Sequence, residues 1–134
     1  MISYQYEGGV CVKIYESAED YLETILKLHR KNGAVRSIDI VNELGYSKPS
    51  VSVAMKKLRE GGYILMDEDG FIRLTASGEE VAIRVYTRHQ LLTAFLVSLG
   101  VSEETAAEDA CRIEHDISAE TFGKIKEYME KHPE

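Results

Sequence analysis

The sequence predicts a mostly α-helical protein with a small β wing, in which an N-terminal winged helix-turn-helix precedes a helical domain. Apolar residues recur every three to four positions before residue 31 and again after residue 77, as on one face of a helix. Two short capped segments meet at Gly45, and two β-prone runs then flank a turn at residues 67–70. A helix pair followed by a hairpin is typical of a winged helix.

Length and composition limit the class of protein. With 134 residues, 44% of them apolar, the chain fits one modest domain or two small ones that share a core. It contains neither an apolar run of about 18 residues nor a basic, apolar leader, so we expect a cytoplasmic protein without a membrane partner. Its two cysteines, Cys11 and Cys111, are far apart and favour a reducing compartment over a disulfide framework.

The net charge of −7 argues at first against a nucleic-acid partner, but the charges are unevenly distributed. Residues 33–60 hold five basic and three acidic side chains, whereas residues 101–134 hold four basic and ten acidic ones. The basic surplus therefore lies in the helix pair. The acidic surplus elsewhere fits either cation binding or plain solubility.

The first elements are a hairpin and a helix. Two β-prone runs on either side of a glycine pair predict the hairpin within residues 1–16. Helix 1 should follow, with Ser17 as its cap, and end near residue 32. Asp20 and Glu23 form an acidic pair on one face of this helix. Taken alone, the pair is best interpreted as a solvated face.

A helix-turn-helix is predicted between residues 37 and 60. Ser37 should cap its first helix, which ends at Gly45, and Ser47 should cap the second, which runs to Glu60. The second helix buries its apolar positions and exposes a basic, hydroxyl-rich face, which suits a recognition helix in the major groove of double-stranded DNA. That face carries Lys48, Ser50, Ser52, Lys56, Lys57 and Arg59.

The wing and a long helix follow. Two short strands at residues 63–66 and 71–75 should form the wing, whose acidic tip has only Arg73 as a basic contact. Helix 4 should begin at a cap near Ser77 and extend to Gly100. Its apolar residues are too many for one stripe, which indicates burial against more than one neighbour and favours a homodimer interface.

Ser102 and Ser118 should cap two further helices, and the first of these carries Cys111, Glu114 and His115 at i, i+3 and i+4. A thiolate, a carboxylate and an imidazole on one helix face are costly to bury unless a cation lies among them. The spacing therefore indicates half of a divalent-metal site. A solvated polar face with one buried free cysteine explains the triplet about equally well.

Five motifs occur in order along residues 17 to about 132. They are Ser-x-Glu-Asp-Tyr-Leu-Glu in helix 1, Ser-x-Pro-Ser-Val-Ser before the basic helix, Leu-Thr-x-x-Gly, Arg-His-x-Leu-Leu and Cys-x-x-Glu-His. In this order they resemble the diphtheria-toxin-repressor family of metal-dependent transcription regulators, and the short length is closest to the manganese-transport-regulator branch. The resemblance implies a double-stranded DNA operator, a homodimer and no enzymatic activity.

Carried over residue by residue, the resemblance implies one metal centre, or two that share ligands. The implied ligands are Asp20, Glu23, His89, Cys111, Glu114 and His115. Cys111 departs from the manganese branch, which has a carboxylate there, while the iron branch has cysteine at that position but lacks the helix 1 carboxylates. We therefore expect Mn²⁺ or Fe²⁺ as the cofactor, with Co²⁺ or Zn²⁺ able to bind in vitro.

The resemblance also divides the chain into an N-terminal extension (1–16), a DNA-binding winged helix-turn-helix (17–76) and a helical metal-binding and dimerisation domain (77–134). The candidate DNA contacts are Arg36, Lys48, Ser50, Ser52, Lys56 and Lys57. The expected function is metal-dependent repression of genes for metal-ion homeostasis. A winged-helix regulator that responds to another ligand is the alternative. A small metallohydrolase is a remote one, because no oxyanion donor loop or spare general base is evident and no small organic substrate is expected.

Overall fold

A computed structural model describes residues 4–7, 10–13, 18–114 and 116–132, with side chains from residue 18 onward. The mostly α-helical class with a small β wing is confirmed, and the described residues form two antiparallel two-stranded sheets among the helices. In chain order the elements are β1 (Tyr4–Glu7), β2 (Val10–Lys13), α1 (Ala18–Asn32), α2 (Ser37–Leu44), α3 (Lys48–Glu60), β3 (Ile64–Met66), β4 (Ile72–Leu74), α4 (Ala76–Ser98), α5 (Glu103–Ile113) and α6 (Ala119–Lys131).

The strands β1 and β2 pair antiparallel, with Tyr4 opposite Lys13 and Glu7 opposite Val10, as expected for the N-terminal hairpin. An isolated hairpin is marginal in water, and here β2 lies beside α5 in the C-terminal half. Cys11 is part of β2, but its side chain lies outside the described residues.

The helix pair α2 and α3 has the predicted turn but one unexpected cap. Gly45 takes the left-handed conformation (φ 74°) that ends α2. Ser47 caps α3 as predicted, since its Oγ accepts a hydrogen bond from the Ser50 amide at 3.2 Å. The Ser37 cap was wrong. Arg36 occupies the cap position, and its own amide donates to Asp39 Oδ2 at 2.8 Å, so a carboxylate in the first turn replaces a serine at the cap.

The wing consists of β3 and β4, paired with Ile64 opposite Leu74. Its acidic tip has a structural role, because Asp67 Oδ1 accepts hydrogen bonds from the amides of Asp69 and Phe71, both at 2.9 Å. The Phe71 ring lies beneath the guanidinium of Arg36, whose Cζ is 4.2 Å from the ring centroid. The wing base is thereby joined to the start of α2.

Helix α1 occupies the centre of the molecule. Tyr21, Leu22 and Ile25 are fully buried, and together they form the core between α1 and the helix-turn-helix. The same helix packs against α2, α3 and β4 on one side and along α4 on the other. It therefore connects the helix-turn-helix and the wing to the C-terminal helices.

The N-cap of α4 is Thr75, two residues before Ser77, so the predicted Ser77 cap was wrong. Thr75 Oγ1 accepts from the Gly78 amide at 3.2 Å and donates to the Gly62 carbonyl at 2.7 Å, which fixes both the helix start and the end of α3. Toward its other end the helix leaves apolar surface uncovered, with Leu99 just beyond it 62% exposed. This uncovered surface agrees with a subunit interface. None of the described helices combines the length and apolarity needed to cross a bilayer.

Helices α5 and α6 start where the sequence predicts. Ser102 Oγ accepts from the Thr105 amide at 3.3 Å, and Ser118 Oγ accepts from the Thr121 amide at 3.1 Å. α5 packs closely along α4, and α6 packs on α4 as well. α4 is thus the common support of the C-terminal half.

We predict that Gly78→Ala destabilises the protein by about 1–3 kcal/mol. A Cβ at Gly78 would overlap the Tyr63 carbonyl oxygen, which is fixed by accepting the Thr75 amide at 3.0 Å. Gly123→Ala is the matched control, since a Cβ there meets no atom within 4 Å and alanine should stabilise α6 by up to about 1 kcal/mol. Urea unfolding of both variants checks this; equal stability of Gly78→Ala and the wild type would contradict it.

Candidate functional site

A cavity of about 350 Å³ lies between α1, α4 and α5. Four of the predicted metal ligands line it, two from the first helix and two from the C-terminal half of the chain: Asp20, Glu23, His89 and Cys111. Three helices that are distant in sequence therefore direct acidic, imidazole and sulfur groups toward one space. Such a concentration of donor groups suits a divalent cation better than an apolar ligand.

The C-terminal half contributes a compact set of donor atoms. Those of His89, Cys111 and Glu114 all lie within 4.8 Å of one another. Glu114 is 5% exposed, and its Oε2 is 3.9 Å from His89 Nδ1. Separations of this size allow one ion to be bound by several donors at about 2.0–2.3 Å each. We refer to Asp20, Glu23, His89, Cys111 and Glu114 as the donor cluster.

Glu23 is the most perturbed carboxylate of the donor cluster. Its pKa is raised from 4.5 to about 7, chiefly because burial disfavours the charged form. The charge of Lys27 lowers the pKa, and the charges of Glu114 and Asp20 raise it. The effect of Glu114 on Glu23 means that carboxylates from the two halves of the chain are close enough to repel each other.

The environment of Glu23 fits a bound cation. Its Oε2 is buried and accepts no hydrogen bond from the residues the structure describes. The Lys27 ammonium, 3.6 Å away and half exposed, is its ion-pair partner. A buried carboxylate oxygen without a hydrogen-bond donor is costly, and a divalent ion would remove that cost.

The structure gives Cys111 a state that the sequence did not predict. Its sulfur is disulfide-bonded, contrary to the expected reduced cysteines. The physical reason lies in the fold, because β2, which contains Cys11, lies beside α5, which contains Cys111. A disulfide sulfur carries no thiolate, so Cys111 can bind a metal only after reduction. The sixth predicted ligand, His115, lies outside the described residues.

Sequence reasoning missed Glu108, which lines the cavity from α5. It precedes Cys111 by three residues and so shares its helix face, a spacing that could have identified it. Glu43, near the end of α2, also lines the cavity, but no local pattern connects it to the other donors. Only the packing of α2 beside α1 brings it there.

A second candidate surface is the exposed face of α3. Lys48, Ser52 and Lys56 recur every four residues and form one exposed stripe, with Lys57 beside it. The burial of Val51, Met55 and Leu58 on the other side fixes this orientation. The stripe supplies the positive charge and hydroxyl groups that contacts with phosphates and base edges require.

Three residues near this stripe depart from the simple prediction. The Ser50 hydroxyl is half-buried and accepts a hydrogen bond from Ser47 Oγ at 2.9 Å, so it takes part in the helix cap. Arg36 is exposed but lies at the start of α2 over Phe71. Val53, which the sequence analysis did not select, is 55% exposed on α3 and could contact a thymine methyl group.

Family comparison supports both surfaces. The DNA-binding domain of the iron dependent repressor, an N-terminal domain, matches residues 13–70. The metal binding and dimerisation domain of the iron dependent repressor matches residues 75–134. The two matches together cover most of the chain, and the candidate metal cavity draws residues from both.

Individual relatives agree. The chain is 39% identical over 117 residues to the transcriptional regulator MntR of Escherichia coli O157:H7, covering 87% of this chain and 76% of that protein. It is 33% identical to the HTH-type transcriptional regulator MntR of Bacillus subtilis (strain 168), with coverages of 86% and 83%.

Solved structures share the fold. A manganese-dependent transcriptional repressor in complex with manganese has a TM-score of 0.77 and 29% identity, and the match covers 84% of this chain and 52% of that one. IdeR of T. acidophilum has a TM-score of 0.76 and 29% identity, with coverages of 86% and 55%. The chain spans about half the length of these solved structures.

We predict that Glu23→Gln stabilises the metal-free protein at pH 8 by an amount on the order of 1 kcal/mol. Because the folded-state pKa of Glu23 is raised to about 7, the metal-free wild type should lose stability as the pH rises from about 4.5 to 7. The variant should lose less over that range. Glu68→Gln, at the exposed wing tip, is the control. Thermal unfolding between pH 5 and 8 in a chelator measures both; identical pH profiles for wild type and Glu23→Gln would contradict the prediction.

Proposed function

This chain belongs to the iron-dependent repressor family, and we propose that it is a transcriptional repressor whose affinity for a DNA operator is controlled by Mn²⁺ or Fe²⁺. It is a DNA-binding, metal-dependent regulator rather than an enzyme. The proposal concerns the metal, the ligands and the contacts with DNA, and it assigns the winged part to residues 17–76 and the helical part to residues 77–134.

One observation carries the proposal: one face of α1 lines the candidate metal cavity, and its other face packs against the helix-turn-helix and the wing. Asp20 and Glu23 line the cavity that His89 and Cys111 also line. The apolar side of α1 packs against α2, α3 and β4, which are the DNA-reading elements. Any change in how α1 sits against α4 and α5 is therefore transmitted to α3 through a close-packed core.

The charges of the donor cluster provide a way for a metal ion to control the position of α3. Without a cation, burial disfavours the ionised form of Glu23, and the negative charges of Glu114 and Asp20 disfavour it further. Asp20, Glu23 and Glu114 would hold a divalent cation, whose positive charge would offset the repulsion among them. With ligands from α1 and from the C-terminal half, the cation would hold α1 against α4 and α5, and α1 would in turn fix the position of α3.

We propose that a second copy of the chain supplies the second α3 helix for DNA binding. The uncovered apolar residues of α4 and Leu99 support a homodimer through the C-terminal half. In a symmetric dimer, fixed α3 helices can enter successive major grooves about one helical turn, roughly 34 Å, apart. Loosely held α3 helices would pay an ordering cost on binding, and this cost weakens the metal-free protein's affinity for DNA.

The proposed contacts with DNA follow the exposed face of α3. We propose that Lys48, Lys56 and Lys57 contact DNA phosphates and that Ser52 lies near the base edges. Arg36 is a phosphate contact at the edge of this surface. Ser50 contributes indirectly, by holding the first turn of α3, because its hydroxyl accepts a hydrogen bond from Ser47 Oγ. Asp67 at the wing tip is engaged with its own turn, which supports a wing of low affinity for DNA.

The donor cluster combines ligand types of different metals. Three carboxylates favour Mn²⁺, whereas an imidazole and a reduced Cys111 thiolate favour Fe²⁺, Co²⁺ or Zn²⁺. The proposed physiological metal is Mn²⁺ or Fe²⁺, and His115 is the proposed sixth ligand.

We predict that Mn²⁺ or Fe²⁺ increases operator affinity of the reduced wild type at least about tenfold and that His89→Ala abolishes the increase. His29→Ala, an exposed histidine of α1, is the control and should respond as the wild type does. The measurement is an anaerobic gel shift against the DNA upstream of the chain's own gene, titrated with each metal. If no metal changes the operator affinity of the wild type, a winged-helix regulator that responds to another ligand would be favoured. A wild-type response by His89→Ala would remove His89 from the site.

We predict that Cys111→Glu shifts the preference of the site toward Mn²⁺ over Fe²⁺ or Zn²⁺, because a carboxylate replaces the softer thiolate. Competition titration of the reduced proteins against a fluorescent chelator measures the ratio of affinities. An unchanged ratio would count against Cys111 as a ligand. Cys11→Ser is the control for loss of a cysteine from the chain.

A further inference from the structure

Arg88, the residue before His89 on α4, contacts both neighbouring elements of the C-terminal half. Its Nη2 donates a hydrogen bond of 2.8 Å to the carbonyl oxygen of Glu114. Its Cζ lies 4.9 Å from the centroid of the Phe122 ring on α6. The side chain is half-buried, and its Nε is buried without a hydrogen-bond partner among the described residues. Arg88 therefore joins α4 to the end of α5 and to α6 at a single point.

The carbonyl that Arg88 binds belongs to a helix terminus. Glu114 is the C-cap of α5, and the last carbonyls of a helix lack partners within the helix. An arginine at this end satisfies a carbonyl and interacts favourably with the negative end of the helix dipole. The charge-assisted bond is thus well suited to fix the backbone at Glu114.

Fixing this backbone determines where the carboxylate of the same residue points. The described bond of Arg88 to Glu114 goes to the main chain, while Glu114 Oε2 lies 3.9 Å from His89 Nδ1. Arg88 thus contacts the main chain of Glu114, and the adjacent residue His89 contacts its side chain. The contact with the Phe122 ring, whose centroid is 4.9 Å from Cζ, helps to hold the guanidinium at the main-chain carbonyl.

We propose that Arg88 is a positioning residue of the metal centre: it holds the C-cap of α5 so that the Glu114 carboxylate faces His89 and Cys111. Arg88 does not itself bind the metal, because a guanidinium has no free lone pair to donate. The inference rests on the proposed function, since it assigns Arg88 a role in the metal site described above.

The test compares Mn²⁺ binding by reduced wild type, Arg88→Gln, Arg88→Lys and Arg84→Gln. Arg84 lies one turn earlier on α4, and its guanidinium is exposed and paired with Glu19 at 3.4 Å, so its removal deletes the same charge but leaves the hydrogen bond to the Glu114 carbonyl intact. Loss of an outer partner of a ligand typically weakens metal affinity about 10- to 100-fold. We expect this loss for Arg88→Gln, a partial recovery for Arg88→Lys, which can still donate one hydrogen bond, and wild-type affinity for Arg84→Gln.

A spectroscopic measurement separates positioning from general stability. The electron paramagnetic resonance spectrum of Mn²⁺ at saturation should change in Arg88→Gln and remain as wild type in Arg84→Gln. Wild-type affinity and spectrum for Arg88→Gln would overturn this inference alone. If Arg88→Gln does not fold, Arg88→Lys decides, and full wild-type behaviour of that variant would overturn the inference. A wild type that binds no Mn²⁺ would overturn the proposed function and this inference with it.

Discussion

A buried carboxylate, Glu23, that has two further carboxylates near it, Asp20 and Glu114 from opposite halves of the chain, is the constraint on which the rest of the structure depends. Burial raises the pKa of Glu23 on α1, and the negative charges of Glu114 at the end of α5 and of Asp20 raise it further. A protein selected only for stability would place apolar side chains between these helices. The unfavourable arrangement is explained if the site is used by a cation, at a cost to the metal-free state.

The position of α1 makes this local electrostatic effect relevant to DNA. α1 contributes Tyr21, Leu22 and Ile25 to the core that it shares with the helix-turn-helix, so it is packed directly against α3. Its acidic face packs along α4 and lines the cavity together with α5. These two helices carry the other donors, and α4 also carries the uncovered apolar surface. The donor cluster thus lies between the winged helix-turn-helix and the C-terminal helices, which is where the proposed metal control requires it to be.

Much of the fold follows from local sequence signals. Apolar periodicity and the caps Ser47, Ser102 and Ser118 located the helices, because each cap needs only a hydroxyl and the next turn of backbone. The two wrong caps show the limit of that reasoning. At Arg36 a carboxylate three residues later bonds the exposed amide, and at Thr75 a hydroxyl bonds a residue thirteen positions earlier. The second of these contacts exists only in the folded protein.

The site was predictable in part for a similar reason. Cys111 and Glu114 share a helix face by spacing alone, so they could be selected from the sequence. Asp20 and Glu23 also share a helix face, but that pair alone indicated a solvated surface, and His89 had no spacing signal. Only the family resemblance connected these three residues to the site. Glu43 and the disulfide state of Cys111 depend on which elements become neighbours: α2 beside α1, and β2 beside α5. No pattern within one helix contains that information.

The most direct test of this account is anomalous diffraction at the manganese edge from crystals of the reduced protein grown with Mn²⁺. The account predicts a peak in the cavity between α1, α4 and α5, bonded by Asp20 or Glu23 on one side and by His89 and Glu114 on the other. Manganese bound elsewhere, with Asp20 and Glu114 facing separate regions of solvent, would contradict it.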